Sequence, residues 1–217
     1  MKMKTSVNRK LTTCLVIVFL TLAPARLSQS RAYGQASMTA SPAKYKVKTE
    51  FNLRVSMRDA TELSADIYRP EAEGRFPVIL LRDAYNKTSR LILARYFASR
   101  GFVFVAMDVR GRGDSDGKFI PYRNEGRDGY DAIEWCATQG WSTGNVATMG
   151  NSHNSRIQWL TAVEQPPHLV TMIALVTPSD PFVEYPTGVP LPMDISWYHF
   201  TAGHVLQNMD AVDWAKI

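Results

Sequence analysis

Residues 145–155 read Asn-Val-Ala-Thr-Met-Gly-Asn-Ser-His-Asn-Ser, and the residue types and spacing in this run suit nucleophilic catalysis. A buried strand that turns sharply into a helix can present a serine hydroxyl at the turn, with glycine two positions earlier because a β-carbon there would meet the helix. Gly150 and Ser152 fit that geometry, and Arg156 to Glu164 continues with a helical pattern. Ser152 is therefore the candidate nucleophile for attack on an ester or amide carbonyl. The usual pattern has a second glycine at position 154, where this chain has Asn154. On these residues alone, a small polar cap at a helix start is an equally good account of Ser152. A catalytic serine also needs an acid and then a histidine later in the chain. After Ser152 come His168, His199 and His204, with Asp180, Asp194, Asp210 and Asp213 among the acids. None has the expected context: His168 opens a strand, His199 and His204 fall in an apolar-aromatic stretch, and the side chain of His153 should point away along the turn.

Other chemistry-bearing patterns lack their surroundings. Gly111-Arg112-Gly113 follows an apolar run as a dinucleotide loop would, but its glycine spacing is wrong and Pro121 arrives where a helix should begin. Asp114-Ser115-Asp116-Gly117 has the start of a calcium loop without the later glutamate. No metal and no cofactor are expected. Cys136, inside a helical run, is expected to be a buried small hydrophobe.

The elements that must position Ser152 follow from the hydrophobic period. Tyr45 to Met57 alternates, Arg58-Asp59-Ala60-Thr61 turns the chain, and Leu63, Ala65 and Ile67 alternate again, which predicts an antiparallel pair. From residue 76 the texture changes to continuous apolar runs: Val78 to Leu81, Phe102 to Met107 and Leu169 to Val176. Strands buried on both faces read this way. Helical stretches separate them, Leu91 to Arg100 closed by Gly101 and Asp128 to Gln139 closed by Gly140. Tyr96, Phe97, Trp135 and Trp159 are expected on helix faces packed against the sheet. The fold class predicted is α/β, a doubly wound, mostly parallel sheet opened by an antiparallel pair. Five prolines between 178 and 192 then leave the sheet for Ile195 to Leu206, the expected start of a helical cap.

Composition limits the setting. The first 36 residues hold a basic start, an apolar stretch from Leu11 to Pro24 and a small-residue exit at Gly34-Gln35-Ala36, the pattern of a secretory signal peptide. An uncleaved anchor is the alternative. The leader carries six of the 25 Lys and Arg and none of the 20 Asp and Glu, so the remainder has 19 basic against 20 acidic residues. The net charge of +5 therefore belongs to the leader, and the chain gives no electrostatic reason to bind nucleic acid. With Cys136 alone after cleavage, no internal disulfide can form. The expectation is a secreted or periplasmic protein without a stable membrane span, divided into a signal peptide at 1–36, a linker at 37–44, a core at 45–180 and the start of a cap at 181–217.

Taken together, many ordered motifs resemble those of the Xaa-Pro dipeptidyl-peptidase-like serine hydrolases, the group of cocaine esterase and the α-amino-acid ester hydrolases. They include Val55 to Asp59, Ala65 to Pro70, Phe76 to Leu80, Asp108-Val109-Arg110-Gly111-Arg112-Gly113 with Ser115 and Gly117, Asn124-Glu125-Gly126, Glu134-Trp135, Gln158-Trp159 and Pro166-Pro167-His168-Leu169. The resemblance covers about residues 45–200. It implies an α/β-hydrolase fold, an acyl-enzyme at Ser152, and an oxyanion hole made of the His153 backbone N–H and the Tyr85 hydroxyl. The implied substrate is a small ester or peptide.

The departures carry expectations of their own. The family usually has tyrosine at position 153 and glycine at 155, where this chain has His153 and Ser155, so a looser elbow is expected. Ala60 replaces a turn glycine, at a cost in turn stability. The family's acid, histidine, last strands and C-terminal β-sandwich have no counterpart in the chain, which predicts a core truncated before the last strands. A bare apolar strand at the sheet edge would then give low solubility or dependence on a missing C-terminal fragment. The alternative to a hydrolase is a non-catalytic relative that at most binds a small acyl ligand.

Overall fold

The computed structural model describes residues 41–177 and 192–208. The expected signal peptide, half of the expected linker and most of the proline-rich exit lie outside the described residues, as do Asp180, Asp210 and Asp213.

The chain opens with an antiparallel pair, β1 (Val47–Ser56) and β2 (Glu62–Pro70). Its turn places Ala60 at φ 63°, a left-handed conformation that glycine adopts without strain. Next come β3 (Phe76–Asp83), a single 3₁₀ turn (Lys87–Arg90), α1 (Leu91–Ala98) and β4 (Val103–Asp108). They are followed by α2 (Glu125–Thr138), β5 (Ser142–Asn151), α3 (His153–Val163) and β6 (Leu169–Leu175). A further helix, α4, spans Pro192–Phe200.

Six strands form one sheet in the order β1-β2-β4-β3-β5-β6. β2 runs antiparallel to β4, and the β4-β3-β5-β6 half is parallel throughout. The continuous apolar runs have a direct cause. Val78 and Leu80 of β3 face one core with Val103, Val105 and Met107 of β4, where Ala132, Ile133 and Cys136 of α2 cover them. Ile79 and Leu81 face the other way with Phe104 and Ala106, under Ala94 and Ala98 of α1. Period-two alternation puts side chains on both faces, and helices dry both faces, so every position is apolar.

Three expectations need correction. Leu169 to Val176 was expected to be buried on both faces. β6 is the last strand of the described sheet, the edge position expected of it, but its faces are not dry: Val170 is 57%, Ile173 45% and Leu175 51% exposed. An apolar run reports what a strand could bury, not whether something covers it. Trp159 and Tyr96 are 39% and 41% exposed rather than packed on the sheet, and Tyr96 lies under the Arg100 guanidinium at 3.7 Å. The helix start expected at Asp128 falls at Glu125, one turn earlier. Phe97 stacks on Phe104 and meets Phe102 edge-on, and Trp135 packs against the core beside Trp141.

Candidate active site

Only one residue, Ser152, separates β5 from α3. Its backbone sits at φ 54°, ψ −126°, outside the regions that L-residues ordinarily occupy. Such strain persists where the surroundings over-determine it. Here the Ser152 N–H donates to the Leu175 carbonyl at 3.0 Å, and the Ser152 carbonyl accepts from the N–H groups of Ser155 at 2.9 Å and Arg156 at 3.0 Å. The turn leaves Ser152 exposed while His153, Asn154 and Ser155 behind it are buried. Gly150 is required by space: a β-carbon there would lie 2.7 Å from the Asn154 carbonyl oxygen. The elbow closes with Ser155 in place of glycine, and its buried hydroxyl finds no partner among the described residues.

Tyr85 is two residues beyond the end of β3. β3 and β5 are neighbours with Leu80 level with Thr148, so continuing that register sets Asp83 beside Asn151. Tyr85 and Ser152 thus leave the same end of the parallel sheet, where loops converge on a site in this class of sheet. Asn154 joins the two turns: its amide donates to Asp83 Oδ1 at 3.1 Å and its Oδ1 accepts from the Ala84 N–H at 3.3 Å. The position that departs from the usual second glycine therefore stitches the elbow to the Tyr85 loop. The backbone N–H of His153, first residue of α3, has no acceptor within its own helix and lies at the positive end of the helix dipole.

The His153 side chain does not run along the surface. It is buried among Tyr122, Phe119 and the stacked indole of Trp197 on α4, with ring centroids 5.2 to 5.7 Å away. Burial pushes its imidazole down to about 3. Its Nε2 lies 3.8 Å from Glu125 Oε1, and neither ring nitrogen has a hydrogen-bond partner among the described residues. His168 stands just before β6, at the sheet end opposite Ser152, and its Nδ1 is 2.7 Å from Glu134. His204 Nδ1 is 3.3 Å from the Gly113 carbonyl. His199 and buried Asp194 both lie on α4.

A second layer supports the Tyr85 loop. Lys87 is fully buried, with its Nζ 2.5 Å from Asp114, 3.3 Å from Asp108 and 3.8 Å from Asp66. Burial opposes its charge, but the Asp114 hydrogen bond and the other two carboxylates outweigh that and raise its pKa. Asp108 also accepts from the Lys87 and Asp114 backbone N–H groups. The stretch that resembled a calcium loop thus holds an ammonium, and no group of residues suited to a metal occurs among the described residues. Arg112, buried as well, donates to the Ala84 carbonyl at 2.7 Å and to the Thr201 carbonyl at 2.7 Å. Ser152 stands out in the sequence by its turn motif and Tyr85 by the family resemblance, whereas nothing in the sequence marks the contacts that Asn154, Lys87, Arg112 and Trp197 make around them. Their partners lie up to 112 residues away, and only the apolar-aromatic stretch from Ile195 draws attention to the last of these four residues.

The strand order, the antiparallel second strand and a strained serine between a parallel strand and its helix define an α/β-hydrolase fold. Within that class, residues 59–214 match the family described as X-Pro dipeptidyl-peptidase (S15 family), and the chain belongs to it. It is 36% identical to cocaine esterase of Rhodococcus sp. (strain MB1 Bresler), over 52% of this chain and 21% of the esterase. A putative serine esterase of Mycobacterium bovis is 27% identical over 72% of this chain and 28% of its own length. Among solved structures, a CocE/NonD family hydrolase from Staphylococcus aureus is 32% identical with a TM-score of 0.53, covering 57% of this chain and 26% of that one. The chain thus spans about a fifth to a quarter of the length of these relatives.

Proposed function

We propose that this chain carries the nucleophile and the oxyanion hole of an exported serine hydrolase acting on small ester or peptide substrates. What supports the reading is the exposed, positive-φ position of Ser152 directly between β5 and α3, in a chain of this family. In the proposed reaction Ser152 Oγ bonds to the carbonyl carbon and its proton passes to a general base. The tetrahedral oxyanion accepts hydrogen bonds from the His153 N–H and the Tyr85 hydroxyl. Collapse breaks the bond to the alcohol or amine, which leaves with the proton, and water then releases the acyl group by the same steps in turn.

A second reading, a non-catalytic relative that binds a small acyl group, is favoured by the surroundings of His153 and His168. The first is buried and held neutral, and the second lies at the far end of the sheet. A fluorophosphonate probe applied to the purified protein separates the two. Labelling that Ser152→Ala abolishes, with ester turnover that Tyr85→Phe lowers by about a hundred- to a thousandfold, supports the hydrolase. No labelling, beside a reactive complete relative as control, supports the binding protein. Export is checked by fractionating cells and sequencing the mature N-terminus, with cleavage near Ala36 expected.

A further inference from the structure

The Tyr85 hydroxyl is already engaged. The indole Nε1–H of Trp197 donates to the Tyr85 oxygen at 3.2 Å. An indole N–H has no acceptor capacity, so the phenol oxygen must accept here. The phenol proton, which prefers the ring plane, is then driven to the side away from Trp197. Accepting one hydrogen bond also polarises the O–H and strengthens the bond it donates in turn.

Trp197 is itself fixed. Its ring stacks on Tyr122 and His153, so it cannot rotate without breaking the ring pack next to the elbow. α4 is fixed at its exit, because Arg112 holds the Thr201 and Gly203 carbonyls on the guanidinium that also holds the Ala84 carbonyl, one residue before Tyr85. The Gly113 N–H adds a bond to the His204 carbonyl at 2.7 Å. Backbone and side chain of the Tyr85 turn are thereby referenced to one helix.

We infer that Trp197 is a positioning residue for the reaction: it orients and polarises the Tyr85 hydroxyl so that its proton points at the developing oxyanion. This rests on Ser152 and Tyr85 acting as proposed above. Trp197→Phe keeps the stacked ring and removes the N–H. It lowers kcat for a small ester about three- to tenfold with KM unchanged, a part of the hundred- to thousandfold carried by the whole donor. In a Tyr85→Phe background the same substitution has no further effect, because the group it acts through is gone.

Two further measurements keep the outcomes apart. In the full chain, one of the five tryptophan indole N–H resonances shifts on Tyr85→Phe, a readout that does not require the Trp197 variant to fold. If turnover depends on Ser152 but Trp197→Phe matches the parent, raises only KM, or costs the same with and without the Tyr85 hydroxyl, the role assigned to Trp197 is overturned and the hydrolase stands. If no indole resonance responds to Tyr85→Phe, the hydrogen bond itself is overturned. If turnover is absent or survives Ser152→Ala, both fall.

Discussion

His153 follows Ser152 and is sealed by rings, which gives it a thermodynamic signature. Its native pKa of about 3 lies below the unfolded value of about 6.5. Near pH 7 both states are neutral at this residue. Below about 6.5 the unfolded chain takes up a proton that the native chain refuses, so stability falls as pH drops toward 3. By pH 5 the loss is about 2 kcal/mol. His153→Phe removes this contribution, while nearby Glu125, Arg82, Asp83 and Arg156 remain in both proteins. Urea titrations at pH 7 and pH 5 should show the parent losing about 2 kcal/mol more than the variant, and equal losses would refute the burial-driven shift. At this scale Ser152 and Gly150 were legible because a strained turn restricts residue type. The orientation of the His153 ring was not, since adjacency in sequence says nothing about which rings α4 and the 119–122 loop bring over it.

Between elements, the buried Lys87 cluster connects β2, β4 and the loop leaving β3. Lys87→Met removes the cation and leaves Asp66 and Asp108 buried without it, where Asp66 Oδ2 already lacks a partner. The expected loss is about 3–5 kcal/mol in denaturant unfolding, and adding Asp108→Asn should recover part of it. A loss below about 1 kcal/mol would make the cluster no stronger than an exposed ion pair. Strands β3 and β4 were readable from unbroken apolar runs because both faces are covered. β6 has an equally apolar run, yet half of it faces outward. Sequence period reports the pleat, whereas burial depends on neighbours from elsewhere in the chain. The burial of Arg112 and Lys87 is not legible in the sequence for a related reason: a charged residue in a loop ordinarily reads as solvated, whereas the converging turns around β3 and β4 bury these two.

For the whole molecule, the exposed apolar side chains of β6 lie at the edge of the described sheet, the kind of position at which chains can associate. Val170→Lys with Ile173→Lys should reduce concentration-dependent self-association several-fold in sedimentation velocity while changing stability by no more than about 0.5 kcal/mol per site. Unchanged association would clear this edge as its cause. Among the described residues no helix is long and apolar enough to cross a membrane. The same strand has a second consequence through the 3.0 Å bond from the Ser152 N–H to the Leu175 carbonyl. That bond ties a high-energy turn to the last strand of the described sheet, so the lifetime of the Ser152 conformation is bounded by how often the end of β6 frays. Each opening lets the Ser152 backbone relax toward an ordinary basin, and each closure must re-cock it.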